Sequence, residues 1–402
     1  MTPTTEHPAA AIAPAEPAAA ALDLPVNALA RSYQPRRVWA AAVSIGWNLL
    51  LAGLFAFGGP AEGLCRRLGS HDGAHALSWA APAYFATLFA GYAVLNFPVE
   101  LWFGYLEERQ FGLAKDGVRA WARDWLNGSI QHGVMFVIGA CLLLVFQVLA
   151  PGAWLLLMAG ALLALFLVTT YLAADLVPLG LFQLQKADDA VVARLTRLAS
   201  EPAKRERNAR EFALPPAVVY SHPSLREFAG GIVGLGNRQV LLVSRSTLEL
   251  ASDAMLRFVL LHDLGHRRYH HNLLSVLAGW AWVVMGLVVS HELIPPRWHG
   301  TAVFGSPLYV AFLAVTLSAW MALGEPALAY FGRRLEYQAD RFYLRRGGTA
   351  AGMQAALAEL AARNLARTEV MRRRETIFHP LPSVANRLHA AREFERRHTA
   401  GA

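Results

Sequence analysis

Cysteine is nearly absent from this chain, whose 402 residues include only Cys65 and Cys141. Cys141 lies inside an apolar run, so neither a disulfide framework nor a cysteine-based metal site is expected. Charged residues are also scarce, at 16% of the chain, whereas 55% is hydrophobic. The mean hydropathy of +0.32 is therefore too high for an ordinary soluble globular protein.

Several sequence signals are missing, and each absence removes a class of function. No basic segment precedes an apolar run near the start, so the Ala/Pro-rich residues 1–30 predict a disordered tail and not a signal peptide. The glycines of 230–236 lack the G-x-G-x-x-G spacing of a phosphate-binding loop. The net charge of +8 is dispersed and no nucleic-acid-binding motif accompanies it, so no nucleic-acid partner is expected.

Long apolar blocks are what the chain does have. Each is near the roughly 20 residues that a helix needs to cross a lipid bilayer. They cover about 38–58, 76–99, 134–150, 154–176, 273–294 and 301–323. These blocks predict a mainly α-helical, multi-pass integral membrane protein. Hydropathy alone also fits a six-helix transporter, but the blocks hold few of the paired acids or interrupted helices expected of one.

The polar segments between the blocks predict smaller elements. Residues 107–131 are polar and aromatic and predict an interfacial helix. Beyond 183 we expect an amphipathic helix over 190–200, a strand over 217–220 and a hairpin of 230–236 with 240–244, turning at Asn237. Ser246 is expected to cap the helices that follow. The Lys/Arg bias places both termini and these polar segments on the cytoplasmic side.

Two histidines four residues apart, His262 and His266, follow the apolar helical run of 255–261. On a helix they lie on one face about one turn apart, so both imidazoles can reach one metal ion. This is the ligand half of the H-E-x-x-H zinc-protease motif, with Asp263 in place of the glutamate. Burying two histidines without partners is costly, and a metal would account for them.

A pair of acids with the same spacing, Glu336 and Asp340, lies just beyond the sixth block. A catalytic zinc takes three protein ligands and keeps a fourth position open, and two histidines with a glutamate are a standard set. Glu336 is therefore the expected third ligand, and Asp340 an acceptor that fixes the tautomer of a ligand histidine. The alternative is a solvated helical face paired with nearby arginines. The histidine motif favours the metal site.

These segments together resemble the integral-membrane zinc endopeptidases of the CAAX prenyl protease 1 type, with their heat-shock membrane protease relatives. The run 336–340 matches the family's E-[FY]-Q-A-D segment in full, and similarity extends over about 31–395. Further matches are Phe97-Pro98, Glu108, Phe111-Gly112, Tyr171, Asp175, Pro178-Leu179 and residues 232–243.

The resemblance implies a fold as well as an activity. About six membrane helices would form a helical barrel around a water-filled chamber, with a small α/β zinc-metalloprotease domain on the cytoplasmic face. The expected domains are the tail 1–30, a four-helix membrane domain 31–182, and a peptidase domain 183–402. The last would include the membrane helices at 273–294 and 301–323. The family usually has seven crossings, so six fits loss of the first helix.

The implied activity is zinc-dependent hydrolysis of peptide or membrane-protein substrates. One Zn²⁺ per chain would be held by His262, His266 and Glu336. Asp263 would act as the general base, and Arg387, together with His379, would stabilise the oxyanion. The substrate would bind as an added strand at the edge of the 230–244 hairpin.

The sequence departs from the family pattern at three places. Asp263 is one methylene shorter than glutamate, about 1.5 Å less reach, and a misplacement of about 1 Å can cost on the order of 10²-fold in rate. The family's substrate-strand Asn-Ala appears as Ala229-Gly230. Leu381 falls on the family's final histidine, and His379 would need a two-residue bulge to replace it. The alternative function is therefore a catalytically impaired, zinc-binding scaffold or quality-control protein.

Overall fold

A computed structural model describes residues 28–68, 78–113, 117–176, 183–200, 213–221, 230–294, 304–363, 368 and 381–399. Most of the predicted tail, together with Ala229 and His379, lies outside these ranges. The helices are α1 Ala28–Phe57, α2 Pro60–Arg67, α3 Ala80–Leu101, α4 Glu107–Gln110, α5 Val118–Leu149, α6 Trp154–Tyr171, α7 Ala173–Leu176, α8 Asp189–Ser200, α9 Arg245–Leu250, α10 Asp253–Arg268, α11 His271–Leu293, α12 Pro307–Arg345, α13 Ala350–Arg363 and α14 Val384–Thr399. The strands are β1 Gln183–Lys186, β2 Ala217–Ser221, β3 Gly230–Val233 and β4 Val240–Ser244.

Within the described ranges, six helices are long and apolar enough to cross a membrane. In the order α1, α3, α5, α6, α11 and α12, each packs against the next, and α12 packs back against α1. The six helices therefore close into a barrel, which confirms the predicted fold class. The interior of a bilayer offers no water to unpaired backbone groups. A chain can cross it repeatedly as helices, because each helix pairs its own backbone groups.

The helix ends differ from the hydropathy blocks. Helix α3 continues through a π-helical turn at Trp102–Leu106 into α4, and α5 already begins at Val118. The predicted interfacial helix over 107–131 is therefore wrong, because its residues are the polar ends of two long helices. Helix α1 likewise begins at Ala28, inside the predicted tail. Hydropathy registers where side chains become polar, whereas backbone hydrogen bonding continues past that point.

Tryptophan and glycine interlock α11 with α12. Trp282 and Trp320 stack with ring centroids 4.6 Å apart. A Cβ at Gly286 would lie 2.4 Å from the Trp320 ring, and one at Gly324 would lie 2.2 Å from Trp282. Each glycine thus makes room for a tryptophan of the other helix. This contact sets the register of α12, which runs unbroken for 39 residues from the barrel into the small domain.

The small domain holds a four-stranded sheet in the order β1-β2-β4-β3. Strand β2 runs parallel to β4, while the β1–β2 and β3–β4 pairs are antiparallel. The structure confirms the predicted amphipathic helix as α8 and the predicted hairpin as β3–β4. The predicted helix cap at Ser246 is wrong. Helix α9 is capped by Ser244, whose Oγ accepts a hydrogen bond from the Thr247 amide. Helix α10 is capped by Ser252, whose Oγ accepts from the Met255 amide.

Candidate metal centre

Helix α10 carries the histidine motif because its apolar face is anchored in the small-domain core. Leu256, Leu260 and Leu264 recur at a spacing of four and are at most 2% exposed. They pack with residues of the sheet, α12 and α14. His262 and His266 therefore project from a different face of a helix whose orientation is fixed by packing.

A glycine lets α12 approach that helix closely. A Cβ at Gly265 would lie 3.0 Å from Ala339 Cα and 3.0 Å from Phe342 Cβ. With only hydrogen at this position, the two helices can touch at backbone distance, as small residues at crossings allow. The approach brings Glu336 of α12 opposite the two histidines of α10.

The three predicted ligands are brought together with their donor atoms facing one point. The Nε2 atoms of His262 and His266 are 3.1 Å apart. Glu336 places Oε2 3.3 Å from His262 Nε2 and Oε1 3.4 Å from His266 Nε2. Tetrahedral zinc with bonds near 2.1 Å separates its ligand atoms by about 3.4 Å. The donor set and its spacing therefore fit a single zinc ion.

The ring of His262 is held on its other side by a charged pair. Its Nδ1–H donates to Asp340 Oδ1 over 3.0 Å. Arg387 donates to both oxygens of Asp340, over 2.8 Å from Nε and 2.5 Å from Nη2. Burial lowers the pKa of His262, but hydrogen bonds to Asp340 and Glu336 outweigh it and raise the pKa to about 9. Asp340 thus lies where an acceptor for a ligand histidine should lie.

The geometry places Arg387 beside Asp340 and His262. Its Nη2 is 3.4 Å from His262 Nδ1, on the side of the ring that faces away from Glu336. The residue is 8% exposed, and its bidentate pairing with Asp340 occupies the fork of the guanidinium. Its role toward an oxyanion stays a prediction. Arg387 supports Asp340, which in turn supports His262.

Asp263 lies next to the ligands but takes no part in their hydrogen bonding. It is 9% exposed, and its Oδ2 is buried without a hydrogen-bond partner among the residues that the structure describes. Burial raises the pKa of Asp263 to about 6, against the opposing effect of the two neighbouring histidines. A buried carboxylate oxygen without a partner is unusual. Among the described residues it leaves an unused acceptor on a carboxyl group that interacts electrostatically with His262, His266 and Glu336.

His379 and Leu381 are the two residues that the sequence offers for the family's final histidine position. His379 lies outside the described residues. Leu381, which stands at the family's histidine position, is 57% exposed. In contrast, the structure adds His271, whose Nδ1 is 3.0 Å from His266 Nδ1. The signal for His271 was a fourth histidine in the run 262–271, five residues beyond His266 and at the start of the next helix.

The chain resembles known proteins in both sequence and fold. A model described as Peptidase family M48 matches residues 178–395, more than half of the chain. The fold is similar to that in the crystal structure of S. mikatae Ste24p, with a TM-score of 0.65 and 16% identity, over 78% of this chain and 76% of that one. No curated protein matches the sequence. At this identity the likeness to Ste24p concerns the fold alone.

Proposed function

The chain belongs to peptidase family M48, and from that premise we propose that it is a zinc-dependent endopeptidase of the membrane. The observation that carries the proposal is the spacing of the donor atoms of His262, His266 and Glu336, all within 4.8 Å of one another. One Zn²⁺ per chain would be held there. When bound, it would act as a Lewis acid that polarises the scissile carbonyl and acidifies a water molecule.

Asp263 is the proposed general base. Its Oδ2 is free of hydrogen bonds from the described part of the chain, so it can accept a proton from the attacking water. It then returns that proton to the leaving amine nitrogen. Because burial raises its pKa to about 6, the carboxylate is ionised at neutral pH and basic enough to take the proton.

The proposed peptide site is the open edge of β3. This strand pairs with β4 on one side and ends the described sheet on the other. An extended peptide can add to such an edge through backbone hydrogen bonds. Asn272 donates to the carbonyls of Ile232 and Gly234, over 3.0 Å and 3.4 Å. The contact ties β3 to the start of α11, beside the histidine helix, so an added peptide would run toward the metal position.

The proposal also includes the side of the membrane that the zinc site faces and the division of the chain into domains. The Lys/Arg bias supports a zinc site that faces the cytoplasm. The chain would comprise a tail that ends before α1 at Ala28, a membrane domain that continues to 182 and a peptidase domain 183–402. Because α12 belongs both to the barrel and to the site, peptides or membrane proteins held in the barrel are the expected substrates.

The test combines zinc quantitation with a peptidase assay on three purified proteins: wild type, Asp263→Ala and Asp263→Glu. We expect about one zinc per chain in all three, because Asp263 is not a ligand. Cleavage of casein or a prenylated peptide should fall about 10²–10⁴-fold in Asp263→Ala. In Asp263→Glu, the longer side chain should raise cleavage by up to about 10²-fold.

Other outcomes would change the assignment. A wild type that holds zinc but cleaves nothing, with cleavage restored in Asp263→Glu, would identify a catalytically impaired relative. A wild type that binds no zinc would overturn both assignments. Glu336→Ala serves as the matched loss-of-metal control in the same assay.

A further inference from the structure

His271 is buried between a proposed metal ligand and an amide. The residue is 1% exposed. Its Nδ1 is 3.0 Å from His266 Nδ1, and its Nε2 is 3.0 Å from Gln338 Oε1. Gln338 belongs to α12, two residues from Glu336. The chain His266–His271–Gln338 thus links the second histidine of the motif back to the helix that supplies the third ligand.

Gln338 fixes which atom donates in each hydrogen bond between His266, His271 and Gln338. An amide oxygen only accepts, so His271 Nε2 must donate to Gln338. A neutral imidazole carries one N–H, which leaves His271 Nδ1 as an acceptor. His266 Nδ1 must then donate to it. The remaining nitrogen of His266, Nε2, keeps its lone pair and points at His262 and Glu336.

The backbone places His271 here by an unusual turn. His270, between α10 and α11, has φ 55° and ψ 36°, and is the only described non-glycine residue with a positive φ. This left-handed conformation costs free energy for a residue with a side chain. It turns the chain sharply enough for the first residue of α11 to reach back to His266. The His271 ring also stacks on Tyr269, with centroids 5.7 Å apart.

We propose that His271 is a positioning residue that sets the tautomer and ring orientation of His266 for zinc. It would do for His266 what Asp340 does for His262, but as a neutral acceptor. Partners of this kind orient ligand histidines, and their loss commonly weakens metal binding about 10–100-fold. The inference rests on the proposed zinc site, and it adds a residue that neither the motif nor the ligand set contains.

The test is the zinc dissociation constant of the full chain, measured by competition with a chromophoric chelator at one pH. His271→Phe keeps a ring but removes the acceptor, and we expect about 10–100-fold weaker binding. His271→Asn places Oδ1 where Nδ1 stood and should bind within about threefold of wild type. His270→Asn is the matched control, because asparagine tolerates the left-handed turn, and its affinity should be unchanged.

If His271→Phe fails to fold, a second pair of variants, His271→Gln and His271→Asn, tests the same inference. His271→Gln carries its amide at the Nε2 position and lacks an acceptor at the Nδ1 position, so it should bind zinc at least about tenfold more weakly than His271→Asn. Equal affinities of the two would overturn the inference, as would His271→Phe binding within twofold of wild type. Absence of zinc from wild type would instead overturn the proposed function, so the two failures are distinct.

Discussion

The proposed metal-holding half of the site and the proposed peptide-facing half are built differently. In the first half, the far nitrogens of both histidines end on buried partners, Asp340 for His262 and His271 for His266. In the second, Asp263 Oδ2 has no partner among the described residues, and Leu381 is 57% exposed. The side chains of the first half are held by the fold, whereas those of the second half are proposed to be left free for a substrate.

A physical reason underlies this contrast. Charged groups buried in a helix crossing must be paired, because an uncompensated charge there costs several kcal/mol. A general base must instead keep a lone pair free, and pairing it would remove its function. An Asp263 Oδ2 without a partner among the described residues is what the proposed base requires, although its reach is shorter than that of the family's glutamate.

Removal of the carboxylate ligand should have the largest effect. Glu336→Ala deletes one of three zinc donors, and we expect zinc affinity to fall about 10²–10³-fold, with loss of peptidase activity. Metal analysis after dialysis against a weak chelator measures it. The matched control is Glu325→Ala, an exposed acid on the same helix, which should retain zinc. Retention of zinc by Glu336→Ala would show that the metal-holding half is placed incorrectly.

Substitution of Arg387 should have the next largest effect. It tests whether this residue belongs to the metal-holding half or to the peptide-facing half. Arg387→Leu leaves the buried Asp340 carboxylate with the hydrogen bond from His262 but without the guanidinium. Breaking a buried pair in this way should cost about 3–5 kcal/mol of stability. Zinc affinity should also fall about 10–100-fold, because the support for His262 is weakened. Thermal unfolding and chelator competition measure the two effects. Loss of kcat with zinc affinity and stability unchanged would return Arg387 to the oxyanion role.

The sequence could predict the metal-holding half because its information is local. Four-residue spacing places His262 with His266 on one helix face and Glu336 with Asp340 on another. The usual ligand set of a catalytic zinc joins the two pairs. The six spans follow from the bilayer's thickness and the apolar blocks. The partners of Arg387 and His271 could not be predicted, because each depends on how three helices cross. Spacing along the chain carries no information on the approach allowed at Gly265, nor on the turn at His270.

Zinc affinity should also depend on pH, with a smaller effect than the substitutions of Glu336 and Arg387. Without metal, the raised pKa of His262, about 9 against an ordinary 6.5, keeps its imidazole protonated at pH 7. The stabilisation from this proton is complete below pH 6.5 and is lost as the pH rises through about 9. Zinc must displace the proton, so affinity should rise about tenfold per pH unit near neutrality.

Calorimetry in two buffers of different ionisation enthalpy measures this proton directly. We expect about one proton released per zinc at pH 7. Binding that is independent of pH between 6 and 8, with no proton released, would contradict a protonated His262 held by Asp340 and Glu336.

The helix crossing itself should give the smallest effect. Gly265→Ala places a Cβ 3.0 Å from Ala339 Cα and from Phe342 Cβ, so α10 and α12 must separate by a few tenths of an ångström. We expect about 1 kcal/mol of destabilisation, at the low end for overpacking. Gly279→Ala on α11 is the matched control, since nothing lies within 4 Å of its added Cβ. Because the separation moves Glu336 away from both histidines, zinc affinity should fall in Gly265→Ala and stay unchanged in the control. Equal zinc affinity in the two variants would mean that the three donors tolerate a wider crossing than their present spacing.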